Sequence, residues 1–369
     1  MTSVLVGRFA QAVIAWQKSH GRNSLPWQNT RDPYRVWLSE IMLQQTQVTT
    51  VFNYYTKFLE RFPSVALLAV AQPDEVLALW GGLGYYSRAR NLHRCAQDVV
   101  ALYGGQFPQT ARVLQTLPGI GPSTAGAIAS FCFSERVAIL DGNVKRVLTR
   151  VTAFSEDLPS GKNEKQLWAI ANSLLPEKNL AQAMPRYTQG VMDMGATICT
   201  SRKPQCLICP VQILCQAFAQ GNPEKYPVRS KKLKRSVEQL SLLWAQKSDG
   251  SVWLERRPES GIWGGLYCLP VFANEEALLA FLPGRNRSRI QHLATFKHVL
   301  THMDMQLSAS ITKFSANQVM PSSHASWSGR WVLPDEWKEM GLPAPIRKLL
   351  ENQPGHQVSN AQRQARGGV

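Results

Sequence analysis

Four cysteines crowd into one short stretch, Cys199-x6-Cys206-x2-Cys209-x5-Cys215, out of seven in the chain. Soft thiolates grouped this closely ask for a metal, and an odd total without the layout of a secreted disulfide framework places the chain in a reducing compartment. Structural zinc prefers two close pairs split by a longer spacer. Here one close pair sits between two single cysteines, which better suits wrapping around an iron–sulfur cube. Both metals, and four unligated thiols, stay open on spacing alone. Arg202 and Lys203 lie between the first two cysteines, so this loop would bring positive charge to a phosphate. Cys95, Cys132 and Cys268 are scattered and read as small hydrophobes.

A second constellation is Leu117-Pro118-Gly119-Ile120-Gly121-Pro122-Ser123, set between two helical patterns. Its glycines allow a sharp turn, and the N–H groups of the helix that follows would face an anion. Alone, such a turn is as often a plain connector. Asp141 opens the helical pattern Gly142–Arg150 and reads equally as an N-cap or as a working carboxylate that the helix start keeps ionised. Glu40 precedes Ile41 by one residue, roughly 100° round a helix, so it borders an apolar face, where partial burial would raise its pKa.

These residues need elements to hold them. Leu38, Ile41, Gln45, Val48, Phe52, Tyr55, Leu59 and Phe62 form one apolar stripe over one long or two abutting helices, with Gln45 as its polar interruption. Further helices are expected at Pro73–Trp80 and Arg88–Tyr103, with Gly81–Gly84 between them. Residues 1 to about 220 therefore read as mainly α. Lys225–Arg235 holds six basic residues and no acid, and reads as a linker. Short strands follow: Leu240–Ala245, Val252–Glu255, Arg289–Lys297 and Met303–Thr312, then a helix at Pro345–Glu351. The expected organisation is residues 1–220, a basic linker 221–235, a smaller α+β domain 236–351, and a polar tail 352–369 expected to be disordered.

Composition fits this plan. The chain has 369 residues, 44% hydrophobic, enough for two cores. Lys and Arg number 41 against 25 Asp and Glu, a net charge of +16, which expects a polyanion, nucleic acid or an acidic membrane surface. No apolar run reaches a membrane span, and Met1–Trp16, interrupted by Arg8, reads as an amphipathic helix and not a signal peptide.

The Leu-Pro-Gly-Ile-Gly hairpin, Asp141 and the cysteine spacing together resemble the helix-hairpin-helix DNA glycosylases of the endonuclease III type. Leu25-Pro26-Trp27, Trp37–Val48, Gly82-Leu83-Gly84-Tyr85-Tyr86 and Asp141-Gly142-Asn143-Val144 narrow the resemblance to the MutY family of adenine DNA glycosylases, over residues 8 to 350. The resemblance implies hydrolysis of the bond between adenine and deoxyribose opposite 8-oxoguanine or guanine, in double-stranded DNA, by a protein carrying one 4Fe–4S cluster on Cys199, Cys206, Cys209 and Cys215; the compact chain without a targeting peptide and its cysteine usage lead us to expect a bacterial, cytoplasmic protein, and a monomer. It makes Glu40 the acid that protonates the base and then helps activate water. Asp141 stabilises the sugar cation, and Asn143 orients sugar-side groups. Trp27 lines the adenine pocket. Tyr85 intercalates beside 8-oxoguanine with Leu83, Gln45 and Thr46 around it, and Gly119, Gly121 and Ser123 belong to the DNA-binding hairpin. In the endonuclease III branch a Lys stands where Ser123 stands here; a Ser cannot form a Schiff base, so little or no strand cleavage is expected.

Residues 236–350 resemble the Nudix-like C-terminal domain of the MutY family. The clustered glutamates of a Nudix hydrolase are missing, with only Glu275-Glu276 present, so this domain is expected to recognise and not to hydrolyse. The family's Phe-Ser-His reading loop falls on Leu300-Thr301-His302: Thr301 keeps a hydroxyl and His302 is retained, while the aromatic is lost. Two other readings compete, an endonuclease III-like glycosylase and lyase on oxidised pyrimidines, and a non-catalytic iron–sulfur DNA-binding protein.

Overall fold

The computed structural model describes residues 3–230, 235–324 and 327–352. Residues 231–234 of the basic linker and 353–369 of the tail lie outside them. The chain forms two compact units: residues 1–70 with 91–232, and residues 71–90 with 233–369. No helix among the described residues is long and apolar enough to cross a membrane.

The first unit is helical. The apolar stripe is carried by two helices, Pro33–Leu43 and Val48–Arg61. Asp32 caps the first by accepting from the Tyr34 N–H at 2.9 Å, and Pro33 suits its first turn. Between them the backbone turns at Gln45, whose φ is +56°. Helix Ser3–His20 lies along Leu180–Thr197, where a Cβ on Gly190 would come within 2.7 Å of Val13 Cγ1; only glycine lets the two backbones approach so closely. Phe9, Val13, Leu140, Val147, Leu167 and Met194 fill the core between these helices and Gly142–Val151.

The second unit is an α+β fold. Its strands are β1 (Ser236–Lys247), β2 (Val252–Arg256), β3 (Tyr267–Cys268), β4 (Val271–Phe272), β5 (Gln291–His292), β6 (Phe296–Val299), β7 (Met303–Phe314) and β8 (Gly329–Val332). They form one sheet with the path β3-β2-β1-β7-β5; β4 also pairs with β1, β6 with β7 and β8 with β2. The long central pair β1–β7 is parallel, from Ser236 opposite Met303 to Lys247 opposite Phe314, and every other pair is antiparallel. The stretch read as one strand at Arg289–Lys297 is two short ones, β5 and β6. Leu243, Ala245, Trp253, Leu278 and Phe314 make the core on one face.

Residues 71–90, read from sequence as part of the helical domain, pack with the strands. The Tyr86 hydroxyl donates to the Leu342 carbonyl at 3.2 Å, and the Arg90 guanidinium donates to the Glu259 carbonyl at 2.9 Å. Helical periodicity identifies Pro73–Leu79 as a helix but carries no information about which unit it joins.

Candidate functional site

A pocket of about 630 Å³ opens in the first unit, with Trp27, Ser39, Glu40, Phe131, Arg186 and Gln189 among its walls. Trp27 is buried and meets Tyr55 edge-on at 5.3 Å between ring centroids. Trp37, Leu38, Ile41 and Met42 point into the core from the helix Pro33–Leu43, and this packing fixes the partly buried Glu40 at the pocket wall. Burial pushes the Glu40 carboxyl up to about 8, and the charge of Asp141 adds to that effect. At neutral pH Glu40 therefore holds its proton.

Asp141 caps the helix Gly142–Val151, its Oδ1 accepting from the Val144 N–H at 2.7 Å. That bond, a second from the Asn143 N–H, and the charges of Arg146 and Lys145 all favour ionisation, yet burial outweighs them and leaves its pKa above the ordinary carboxylate value. Asn143 accepts from Arg146 Nη2 at 2.8 Å, and Arg146 Nε donates to the Cys199 carbonyl at 2.7 Å. The Asn143 side chain is thus turned toward Arg146.

Ser123 has a structural task here. Its hydroxyl accepts from the Leu140 N–H at 3.1 Å and fixes the strand-like run that delivers Asp141. Gly119 has φ +76°, and a Cβ there would sit 2.8 Å from Asn91 Cβ, so the turn requires glycine. Gly121 is the extended N-cap of the helix Pro122–Phe133. Gln45 is at the left-handed turn between the two stripe helices, and the hydroxyl of Thr46 donates to the Gln44 carbonyl at 3.3 Å.

All four cysteines of the spaced motif line one pocket. Arg150, itself buried, donates to Cys199 Sγ at 3.3 Å and to the Thr200 carbonyl at 2.6 Å, fastening the loop. Among the described residues no group of His, Cys, Asp and Glu is arranged to hold a single metal ion. Burial and the mutual repulsion of the thiols push the Cys209 thiol up to about 12 and raise Cys206 and Cys215.

The second unit brings Tyr85 and Thr301 together. Tyr85 is 43% exposed, with φ +49°, between Gly84 and the helix Ser87–Tyr103. Its hydroxyl shares a hydrogen bond with the Thr301 hydroxyl at the tip of the β6–β7 hairpin. The Arg88 guanidinium packs on the rings of Trp80 and Tyr85, 5.3 and 5.6 Å from their centroids, and donates to the Leu83 and Gly84 carbonyls at 3.1 Å. Leu83 is buried, and His302 is exposed on the same tip as Thr301.

Some of the pocket's support carries no local sequence signal. Asp193, fully buried, accepts from Arg22 Nε at 2.7 Å, from the Arg22 N–H at 2.9 Å and from Gln189 Nε2 at 2.8 Å. A buried carboxylate with three donors orients Gln189 in the pocket wall. Phe131 faces the same space from the helix Pro122–Phe133.

Residues 38–173 match the model of the HhH-GPD superfamily base excision DNA repair protein, and residues 242–352 match the NUDIX domain model. The chain is 38% identical over 347 residues to an adenine DNA glycosylase of Buchnera aphidicola subsp. Acyrthosiphon pisum, covering 93% of this chain and 97% of that one. It is 31% identical over 417 residues to an adenine DNA glycosylase of Homo sapiens, covering 95% and 75%. Among solved structures, a thermostable thymine-DNA glycosylase is similar at 28% identity and a TM-score of 0.51, over 57% of this chain and 95% of that one.

Proposed function

The chain belongs to the adenine DNA glycosylase family, and on that premise we propose that it hydrolyses the N-glycosidic bond of adenine mispaired with 8-oxoguanine or guanine in double-stranded DNA. The observation that carries the reading is Glu40 in the wall of a 630 Å³ pocket that Trp27 also lines, its carboxyl raised by burial and by the charge of Asp141. Adenine leaves poorly until a ring nitrogen is protonated. Glu40 delivers that proton to N7 of a base swung out of the stack. The bond from C1′ to the base breaks with its electrons going to adenine, and the Asp141 carboxylate faces the sugar cation. Water then adds at C1′ and gives up its proton to the Glu40 carboxylate, restoring the acid. Two carboxyl groups with different duties divide the work as in glycoside hydrolysis. Asn143, tied to Arg146, supports the sugar side.

With Ser123 where a Schiff-base Lys would be needed, the chain is monofunctional, and strand breaks await a separate reaction. Gly119, Gly121 and the helix start after them hold a phosphate. Tyr85 intercalates beside 8-oxoguanine, with the buried Leu83 supporting its loop and Thr301 and His302 on the neighbouring tip; Gln45 and Thr46 are DNA contacts of the first unit. The glycosylase region is residues 1–220 apart from 71–90, which belong with the Nudix-like region 236–351, and the protein acts as a cytoplasmic monomer. Cys199, Cys206, Cys209 and Cys215 would hold a 4Fe–4S cluster, a reading supported by four thiols lining one pocket; when bound, it would stiffen the loop bearing Arg202 and Lys203.

Single-turnover excision tests the reading on three duplexes: adenine opposite 8-oxoguanine, adenine opposite thymine, and an oxidised pyrimidine. Adenine release from the first alone, with strand breaks appearing only after hot alkali, is expected. Pyrimidine excision with breaks before alkali would overturn it in favour of an endonuclease III-like lyase.

A further inference from the structure

The tip of the β6–β7 hairpin is held by the residues at the start of β1. Arg235 Nη2 donates to the Leu300 carbonyl at 2.7 Å and to the Met303 carbonyl at 3.3 Å, and Nη1 donates to the Thr301 carbonyl at 3.1 Å. The neighbouring Ser236 N–H donates to the His302 carbonyl at 3.2 Å. The carbonyls of Leu300, Thr301 and His302 are thereby turned onto Arg235 and Ser236, while the Met303 carbonyl, shared with Arg235, closes the hairpin by accepting from the Leu300 N–H at 2.9 Å. The guanidinium itself is fixed by Asp304, which also pairs with Lys297 at 2.6 Å.

A four-residue tip with its carbonyls free would aim negative dipoles at a DNA backbone or at the acceptor edge of a base. With them satisfied, the exposed side chains of Thr301 and His302 are what the tip offers a ligand. Arg fits this task where Lys does not, because a planar fork serves several acceptors in one fixed geometry. Thr301 is then held twice, its carbonyl by Arg235 and its hydroxyl by Tyr85.

We propose that Arg235 is a positioning residue for lesion discrimination: its fork, anchored on Asp304, sets the conformation of the Leu300–Met303 tip that distinguishes 8-oxoguanine from guanine opposite adenine. This rests on the reading of the second unit as the lesion-recognition module.

The test uses the full chain and duplexes carrying 2′-fluoro-deoxyadenosine, which resists excision, opposite 8-oxoguanine or guanine. Kd is measured for both at several salt concentrations. Arg235→Ala is expected to weaken binding to the 8-oxoguanine duplex about tenfold and to leave the guanine duplex within twofold. Arg235→Lys keeps the charge but loses the fork, and recovers less than half of that loss on a logarithmic scale. Asp304→Asn costs two- to threefold in the same direction. Equal weakening on both duplexes, with a shallower salt dependence and full rescue by Arg235→Lys, would make Arg235 a plain phosphate contact and overturn the proposal. Unchanged Kd on both duplexes overturns it as well. If the unsubstituted protein binds the two duplexes equally, the lesion-recognition reading fails first and this inference falls with it.

Discussion

The pocket of the first unit and the hairpin tip of the second treat their carboxylates in opposite ways. Around Glu40 and Asp141 burial dominates and raises both carboxyl groups, even though Asp141 accepts backbone N–H bonds and stands near two cations. Asp304 is in the opposite situation: Lys297 and Arg235 hold its carboxyl below the ordinary value, in contact with solvent. Desolvation supplies a proton store for chemistry, and exposed ion pairing supplies a fixed shape for recognition. The difference divides the expected phenotypes: substitutions in the pocket change the rate, and substitutions on the tip and its neighbours change which duplex is bound.

The largest effect belongs to Glu40→Gln, which keeps the shape and removes the transferable proton. Excision is expected to fall by about 10³–10⁴ while duplex binding persists, measured by single turnover and by Kd. The pH profile carries the same information. With the Glu40 carboxyl near 8, the rate of the unsubstituted protein is flat through neutrality and falls as pH rises past about 8. Stability shifts in the matching direction. A raised carboxyl pKa contributes stability that is complete below the unfolded value of about 4.5 and is lost as pH climbs to about 8. Glu40→Gln is therefore expected to gain on the order of 5 kcal/mol relative to the unsubstituted protein at pH 9, and near nothing at pH 4. Equal excision by the variant would remove Glu40 from its role.

Asp141→Asn comes next. Removing the charge that faces the sugar cation is expected to cost about 10²–10³ in rate. The amide oxygen still accepts from the Val144 N–H, so the helix cap and the melting temperature change little. A large loss of stability with a modest loss of rate would reassign Asp141 to capping alone.

Why these two residues were visible in the sequence, and others were not, follows from the range of the forces involved. Glu40 is placed by the period of its own helix, Asp141 by the helix that it opens, and the four cysteines by spacing, all of which are local. The stripe leaves one long helix or two abutting ones open, because it continues across the turn at Gln45 with the same face inward. Residues 71–90 look like any helix and loop of the first domain; their partners Leu342 and Glu259 lie far along the chain. Arg235 reads as one cation of a basic linker until the carbonyls of a hairpin, some 65 residues later, are seen around it. The buried Asp193 with Arg22 and Gln189 is hidden for the same reason.

Tyr85→Ala moves the comparison to the second unit. An aromatic ring stacked in a duplex contributes about 1–3 kcal/mol, so binding to the mispaired duplex is expected to weaken by about 10- to 100-fold. The bond to Thr301 and the packing on Arg88 are lost together. Tyr85→Phe keeps the ring and loses only the shared hydroxyl bond, so it separates stacking from positioning: a loss of threefold or less is expected, confined to the 8-oxoguanine duplex. A rate defect at saturating enzyme without a binding defect would break the division between the two regions.

The smallest effect tests that division from inside the first unit. Ser123 lies beside the chemistry in sequence and resemblance, but its hydroxyl serves the Leu140 N–H. Ser123→Ala leaves that N–H without its acceptor and is expected to cost about 1 kcal/mol of stability, read by denaturant or thermal unfolding. Excision should fall only as far as Asp141 drifts when the run before it loosens, within a few-fold. Ser123→Lys adds an amine, and also removes the acceptor and places a bulky cation against the Ile139–Asp141 run, so it should destabilise more than Ala does. Efficient strand cleavage by Ser123→Lys at full stability would mean that the Leu140 bond is dispensable, and that a single residue separates hydrolysis from lyase chemistry on this scaffold.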